Sequence, residues 1–469
     1  MTVYVSTRGR AGRRSFEEVL LAGLAEDGGL FLPECWPRLS EARLRALDGA
    51  DYPTTAAAVL APFTEGCFAE DELLAIAREA YAGFAHPAVA PLRQLDPSLW
   101  LLELFHGPTL AFKDFALQLL ARMFERVLAR RGRTITILGA TSGDTGSAAI
   151  AAIAGRARMR IVILHPAGRV SEVQRRQMTT VLADNVANLA IEGTFDDCQD
   201  LVKALFNDAA FRAEQRLAAI NSINWARIAA QAAYYVYAAL RLGGLERPVG
   251  FCVPTGNFGD VYAGHVARRM GLPVDRLIVA TNANDILARF LASGTYEAGT
   301  VRPTSSPSMD IQVASNFERL LFELLDGDGE AVAGFMARFS RERRFTLSPE
   351  RHARARALFE GGAADEAATA AEIARWHAAT GGSLLLDPHT AVGAAVAERL
   401  RHGSRAPLVL LATAHPAKFP EAVEAATGVR PALPAHLSDL FARPERFAVL
   451  PAEPAAVADF VRRLPPVAS

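Results

Sequence analysis

The chain has 469 residues, 51% hydrophobic and 22% charged, with a formal net charge of −1. That length exceeds one simple core and predicts two or three domains of a soluble globular protein. The absence of a basic tract argues against nucleic acid as a partner, and no apolar run is long enough to cross a bilayer.

The first residues lack the apolar core of a secretion signal, so a cytoplasmic location is expected. The four cysteines (Cys35, Cys67, Cys198, Cys252) are scattered without metal-ligand spacing. They are expected to be reduced, buried thiols, and no metal site is expected.

Residues 1–92 read as a mainly helical N-terminal region. Residues 15–25 are amphipathic, with Ser15 as N-cap and Glu18 as its capping-box partner. Residues 27–31 turn into a short extended segment. Residues 71–84 form a second helix, and Pro87 and Pro91 mark a boundary.

From 93 to 245, strand-like runs (99–104, 134–138, 160–164, 186–191) alternate with helical ones (115–128, 147–154, 171–182, 196–208, 225–242). This spacing predicts βαβ units and a parallel sheet. A second α/β block, 246–469, starts with a strand at 249–253, a helix at 260–270 and a strand at 276–280. A charged, Ala-rich helical insertion is expected at about 320–382. The sheet resumes at 407–412, and the tail after 430 is expected to be peripheral. The fold class is therefore α/β, with two parallel-sheet domains.

The chain carries 50 basic residues, of which only Lys113, Lys203 and Lys418 are lysine. Arginine is always charged and cannot form an imine, so a retained lysine suggests amine chemistry; a surface lysine spared by chance is the plainer alternative. Lys113 follows the rigid Gly107-Pro108 turn, at the entrance of a helix. The helix dipole and the flanking Phe112 and Phe115 would lower its pKa and make it a better nucleophile. Lys418 is a rival, ranked lower for its more polar setting.

Three loops sit at carboxyl ends of predicted strands, where open α/β sheets bind ligands. Gly139–Gly146 offers small residues, the hydroxyls of Thr141, Ser142 and Thr145, and a helix start suited to an anion. Asp144 there would repel an anion unless its side chain caps the helix. Pro254-Thr255-Gly256-Asn257-Phe258-Gly259-Asp260 has the form of a phosphate cradle. Each loop also reads as a plain helix-capping turn. Thr413, after the last strong strand, could meet a ring nitrogen or act as a cap. Asn221–Arg227 gathers polar side chains and one arginine at a helix start, where Arg227 could bind a phosphate or carboxylate bidentately. A lysine, two anion loops and a strand-end threonine together match what pyridoxal phosphate needs, with the cofactor as electron sink.

The runs FHGPTLAFKDF, TSGDTG, NSINWARI, PTGNFGD, SPSMDIQVASNFERLLFE, DPHTAVG and TAHPAKF, with STRG and FEEVLLAGLAEDGGLFLPE near the start, resemble the threonine synthase family. That family belongs to the fold type II pyridoxal phosphate enzymes. The resemblance runs in family order from Ser6 to about Glu421. It implies conversion of O-phospho-L-homoserine and water to L-threonine and phosphate, by a monomer or homodimer.

By position it implies that Lys113 is the Schiff-base lysine and proton shuttle, with Phe112 beside the cofactor. Gly256, Asn257, Phe258, Gly259 and Asp260 would hold the cofactor phosphate, and Thr413 would face the pyridine nitrogen. Thr141, Ser142, Gly143, Asp144 and Thr145 would form the substrate loop. Ser222, Asn224 and Arg227 would contact the substrate phosphate. Asp144 stands where related enzymes often carry Asn. The competing readings are a threonine synthase-like phospholyase, a hydroxyamino-acid dehydratase, and a non-catalytic binding protein on the same fold.

Overall fold

The computed structural model describes residues 1–401 and 406–467. In chain order its strands are β1 (Tyr4–Ser6), β2 (Phe31–Pro33), β3 (Leu92–Gln94), β4 (Leu99–Glu103), β5 (Ile135–Ala140), β6 (Met159–Pro166), β7 (Val186–Glu192), β8 (Leu217–Ala218), β9 (Val249–Pro254), β10 (Val274–Thr281), β11 (Thr295–Glu297), β12 (Arg344–Thr346), β13 (Glu360–Ala363), β14 (Leu408–Ala412) and β15 (Ala448–Pro451).

Two sheets carry the architecture. The larger runs β13-β10-β9-β14-β4-β3 and the smaller β15-β7-β6-β5-β8. Every pairing in them is parallel except the antiparallel edge β3–β4. Parallel strands covered by helices on both faces need apolar residues on both faces, and every residue of β6, β9 and β14 is buried. Helices Lys113–Arg131 and Trp225–Arg241 pack between the sheets and the N-terminal region. Among the described residues no helix is long and apolar enough to cross a membrane.

The N-terminal region starts as the sequence suggests. Ser15 caps helix Phe16–Ala22 and completes the capping box with Glu18. The extended segment becomes β2, antiparallel to β1. Two helices, Glu41–Ala46 and Tyr52–Leu60, precede helix Glu70–Tyr81. Phe115 packs here, ring to ring with Tyr52, Tyr81 and Phe84. It therefore does not flank the lysine amine. Two residues along a helix is a rotation of about 200°, so residues 113 and 115 face opposite ways.

Strand pairing differs from the sequence reading in three places. β4, which leads into the lysine, pairs with β14, so it belongs to the large sheet rather than with β5, β6 and β7. β13, inside the stretch read as a helical insertion, is an edge strand parallel to β10. The tail read as peripheral returns to the small sheet, where β15 pairs with β7. Sheet pairing thus does not divide at residues 245–246. Cys198 and Cys252 are buried free thiols, whereas Cys35 is exposed.

Candidate active site

The carboxyl ends of β4, β5, β9 and β14 converge, and each is followed by one of the segments singled out above. After β4 the chain turns through residues 104–112 and enters helix Lys113–Arg131 with Lys113 as its first residue. This turn is fastened to the end of β14 by three backbone bonds: Leu104 N–H to Ala412 O (3.0 Å), Phe112 N–H to Thr413 O (2.9 Å) and His415 N–H to Leu110 O (3.0 Å). Inside it, the buried Asp114 accepts from the backbone N–H (2.8 Å) and hydroxyl (2.7 Å) of Thr109. Leu110 is left-handed at φ 64°. A Cβ at Gly107 would lie 2.5 Å from Asp114 Oδ2, so only glycine fits. The lysine is thus presented by a turn with one conformation, and its Nζ lies 5.2 Å from the centre of the Phe112 ring.

The loop after β5 supplies the lysine's partner. Thr141 Oγ1 accepts from Gly143 N–H (3.0 Å) and Gly146 N–H (2.9 Å), so this hydroxyl shapes the loop. Gly143 has φ 143°, and a Cβ there would run into Gln174 at 2.5 Å. Ser142 and Thr145 are half-buried. Asp144 does not turn away as a cap. Its Oδ2 lies 3.2 Å from Lys113 Nζ and its Oδ1 2.9 Å from Lys418 Nζ. The Ser308 hydroxyl donates to Oδ2 (3.0 Å) and Gln174 Nε2 to Oδ1 (2.8 Å). Lys113 also donates to Ser308 Oγ at 3.2 Å.

These contacts set the charges. Burial pushes the Lys113 amine down, Asp144 pulls it back up, and Lys418 and Arg227 push it down again, leaving it below the ordinary lysine value. Burial pushes Asp144 up, but Lys113, Lys418 and His389 outweigh it and hold the carboxyl well below the usual range. The amine is thereby drawn toward the neutral, nucleophilic form.

The loop after β9 has the features of an anion cradle. Phe258 is left-handed at φ 64° and buried, and Gly259 opens helix Gly259–Arg269. A Cβ at Gly256 would lie 2.8 Å from Ser308 O, and one at Gly259 3.1 Å from Asn316 Nδ2. Asn257 is tied to residue 316 through its carbonyl, which accepts from Asn316 N–H (3.0 Å) and Nδ2 (3.0 Å). Asp260 Oδ1 accepts from the hydroxyls of Tyr234 and Tyr235, so its side chain faces the tyrosines and only its backbone N–H is placed for an anion.

The segment before helix Trp225–Arg241 divides by role. Ser222 is half-buried, and its carbonyl accepts from Asn316 Nδ2 at 3.2 Å. Asn224 is occupied by the fold: its Oδ1 caps the helix through Ala226 N–H (3.0 Å) and its Nδ2 donates to Leu20 O (3.0 Å). Arg227 is 3% exposed, donates to Ile220 O at 3.3 Å and leaves Nε without a partner. It forms no ion pair with a carboxylate among the described residues, and burial pushes its guanidinium down to about 10. A buried, uncompensated cation that bears electrostatically on Lys113 calls for an anion.

Four residues of the site are not among the expected site residues. Ser308 and His389 lie in runs that carry the family resemblance, Gln174 lies outside them, and Lys418, a rival amine ranked lower for a more polar setting, is fully buried. His389 Nδ1 contacts Asp387 Oδ1 (2.9 Å), and its Nε2 accepts from Ser308 N–H (3.2 Å). The scarcity of lysine and the run TAHPAKF were the pointers to Lys418.

Three family models match: "Threonine synthase N terminus" over residues 3–81, "Pyridoxal-phosphate dependent enzyme" over 85–342, and "Threonine synthase, C-terminal" over 390–461. The chain is 55% identical over 459 residues to a threonine synthase of Pseudomonas aeruginosa, covering 98% of this chain and 97% of that one. A crystal structure of pyridoxal-phosphate-bound threonine synthase from Brucella melitensis superposes with a TM-score of 0.96 at 54% identity, covering 98% and 99% of the two chains. Threonine synthase from Escherichia coli superposes with a TM-score of 0.82 at 32% identity, covering 98% and 99%.

Proposed function

The chain belongs to the threonine synthase family of pyridoxal-phosphate-dependent enzymes, and we propose that it converts O-phospho-L-homoserine and water to L-threonine and phosphate. The observation that carries this reading is Arg227: a buried guanidinium with an unpartnered Nε, in a site whose other anion cradle lies at Gly256–Asp260. Besides the Thr141–Thr145 loop for a carboxylate, two separate anion positions suit a phosphorylated substrate beside a phosphorylated cofactor. A hydroxyamino-acid dehydratase has no use for the position at Arg227.

The residues fit the cofactor. The backbone at Gly256 runs so close to Ser308 O that a Cβ would fill the space, and the helix start at Gly259 presents N–H groups to an anion. Gly256, Asn257, Phe258, Gly259 and Asp260 would hold the cofactor phosphate through backbone groups, Phe112 would line its ring, and Thr413 would meet its ring nitrogen. Lys113 Nζ is the amine that would hold it covalently. Bound pyridoxal phosphate supplies an electron sink for negative charge at the substrate carbons.

The chain's own groups do the rest. Thr141, Ser142, Gly143 and Thr145 would receive the substrate carboxylate on the backbone of a helix start. Arg227 and Ser222 would hold the substrate phosphate, while Asn224 acts on Arg227 by fixing the start of its helix. Lys113 Nζ, with its lowered pKa, takes a proton from the substrate and returns one. Asp144 is the counter-charge whenever that amine is protonated. Water enters from solvent, to which Lys113 is 8% open.

The test is to assay phosphate and threonine together from O-phospho-L-homoserine, with wild type and Lys113→Ala. Equal amounts of both products from wild type and neither from the variant are expected. Phosphate without threonine would point to a phospholyase. A borohydride-trapped cofactor in Lys113→Ala would move the amine role to Lys418.

A further inference from the structure

We propose that Lys418 is a positioning residue of this site: by holding Asp144 ionised and in place, it fixes the charge against which Lys113 works. The inference rests on Lys113 being the amine of the proposed reaction. It assigns to a second lysine a role exerted through Asp144.

The argument starts from Asp144. Its carboxylate is buried, 4% exposed, and an unpaired buried carboxylate is costly. Lys113 cannot be its only cation, because an amine that binds a cofactor and passes protons changes charge in every turnover. Lys418 is placed to be a second one. It is 0% exposed, its Nζ lies 2.9 Å from Asp144 Oδ1, and a second bond to Thr109 O at 2.7 Å anchors it. It sits in a short helical turn, Pro416–Lys418, directly after the strand end that fastens the lysine turn. Thr109 also gives its N–H and hydroxyl to Asp114. The same turn therefore orients both lysines.

With Asp144 ionised, a state that Lys113 and His389 also favour, Lys418 has two effects on Lys113, and they share a sign. Its charge repels the Lys113 ammonium, and it competes for the carboxylate that would otherwise favour that ammonium. The other charged groups bearing on the pair are Arg227 from helix Trp225–Arg241, His389 from helix Pro388–Leu400, Asp260 from helix Gly259–Arg269 and Asp114 from the lysine helix. Lys418 touches Asp144 directly and is fully buried, so its removal reaches Lys113 through one shared carboxylate.

The experiment titrates the visible absorption band of the holoenzyme against pH, with Lys418→Met as the test variant, because methionine fills similar volume without charge. The band midpoint is expected to rise by at least one pH unit. At neutral pH, kcat is expected to fall about tenfold and recover at higher pH, with KM changed less than threefold. A folded Lys418→Met enzyme with the wild-type midpoint overturns the proposal. If Lys418→Met does not fold, Asp144→Asn carries the test: it leaves the buried nitrogens of both lysines without a carboxylate, so the midpoint is expected to fall, and an unmoved midpoint overturns the proposal. Borohydride reduction and peptide mapping of the wild type separate the two readings. Cofactor trapped on Lys418 sinks the assignment of Lys113, whereas cofactor on Lys113 with an unmoved midpoint in the variants sinks only the role of Lys418.

Discussion

Asp387 Oδ1 lies 2.9 Å from Nδ1 of His389, and this contact decides what the other face of the ring can do. With the proton on Nδ1, Nε2 is left to accept from Ser308 N–H at 3.2 Å. Ser308 in turn donates its hydroxyl to Asp144 and accepts from Lys113. A buried histidine outside the anion loops therefore sets the position of a group that touches the reactive amine. His389→Leu removes the acceptor and leaves a buried N–H unsatisfied, which costs about 1–3 kcal/mol. We expect kcat to fall roughly tenfold while the cofactor is retained, read from steady-state kinetics beside the visible absorption of the same sample. A variant with wild-type kcat would show that the position of Ser308 does not depend on the ring.

Arg227 gives a prediction in two parts with opposite signs. A charge-assisted bidentate contact contributes on the order of 2–3 kcal/mol, so Arg227→Met should raise KM for O-phospho-L-homoserine about 30- to 160-fold. Cofactor affinity should change far less. In the absence of substrate the same replacement removes a buried cation without a carboxylate partner, so thermal stability should hold or rise. An unchanged KM would remove Arg227 from the phosphate site. A large loss of stability would mean that its bond to Ile220 O is what matters.

Gly256 tests the cofactor cradle without touching a polar side chain. An added Cβ would meet backbone, Ser308 O at 2.8 Å and Met309 Cα at 3.3 Å, so the segment carrying Ser308 has to move. Overpacking of this kind costs about 1–3 kcal/mol. Gly256→Ala should weaken cofactor binding about tenfold or more in a titration followed by absorbance, with the far-ultraviolet dichroism unchanged. Wild-type affinity would place the phosphate elsewhere.

What the sequence made legible was local. Lys113 stood out because lysine is scarce, and the loops at 141–145 and 256–260 because small residues interrupt apolar runs at strand ends. The helix at Ser15 declared itself through a capping box, which needs only four residues. What stayed hidden was carried by pairing or contact across the chain. β13 contains Gly361 and Gly362 and has poor strand propensity, so its pairing with β10 is set by position rather than by its own residues. β15 is a four-residue edge strand in a Pro-rich tail. The side chain of Asp144 looked awkward in an anion loop because its two partners, Lys113 and Lys418, approach from segments 31 residues before it and far beyond it. Local reading assigned the loop a ligand, and only the packed chain showed that the loop's carboxylate serves the lysines.

Asp260 yields a pH prediction whose sign differs from the usual carboxylate. Burial pushes its carboxyl up to about 6 from an ordinary 3.8, and the hydroxyl bonds from Tyr234 and Tyr235 only partly offset this. A folded-state pKa above the unfolded one means that the folded chain binds the proton more tightly. The group's contribution is fully present below about pH 4 and is lost as pH rises through 6, by roughly 3 kcal/mol in all. Asp114, also pushed up to about 6 by burial, acts in the same direction. Asp144, held low by its two lysines, acts oppositely: its stabilisation is present above the unfolded pKa and disappears as the solution is acidified through its folded value. Asp260→Asn removes one contribution alone. Denaturant unfolding at pH 4.5 and pH 7.5 should therefore show a variant that loses less stability, or gains more, than wild type across that interval. If variant and wild type change equally between the two pH values, the Asp260 carboxyl titrates alike in the folded and unfolded chains. The two tyrosine hydroxyls would then be holding an ordinary carboxylate.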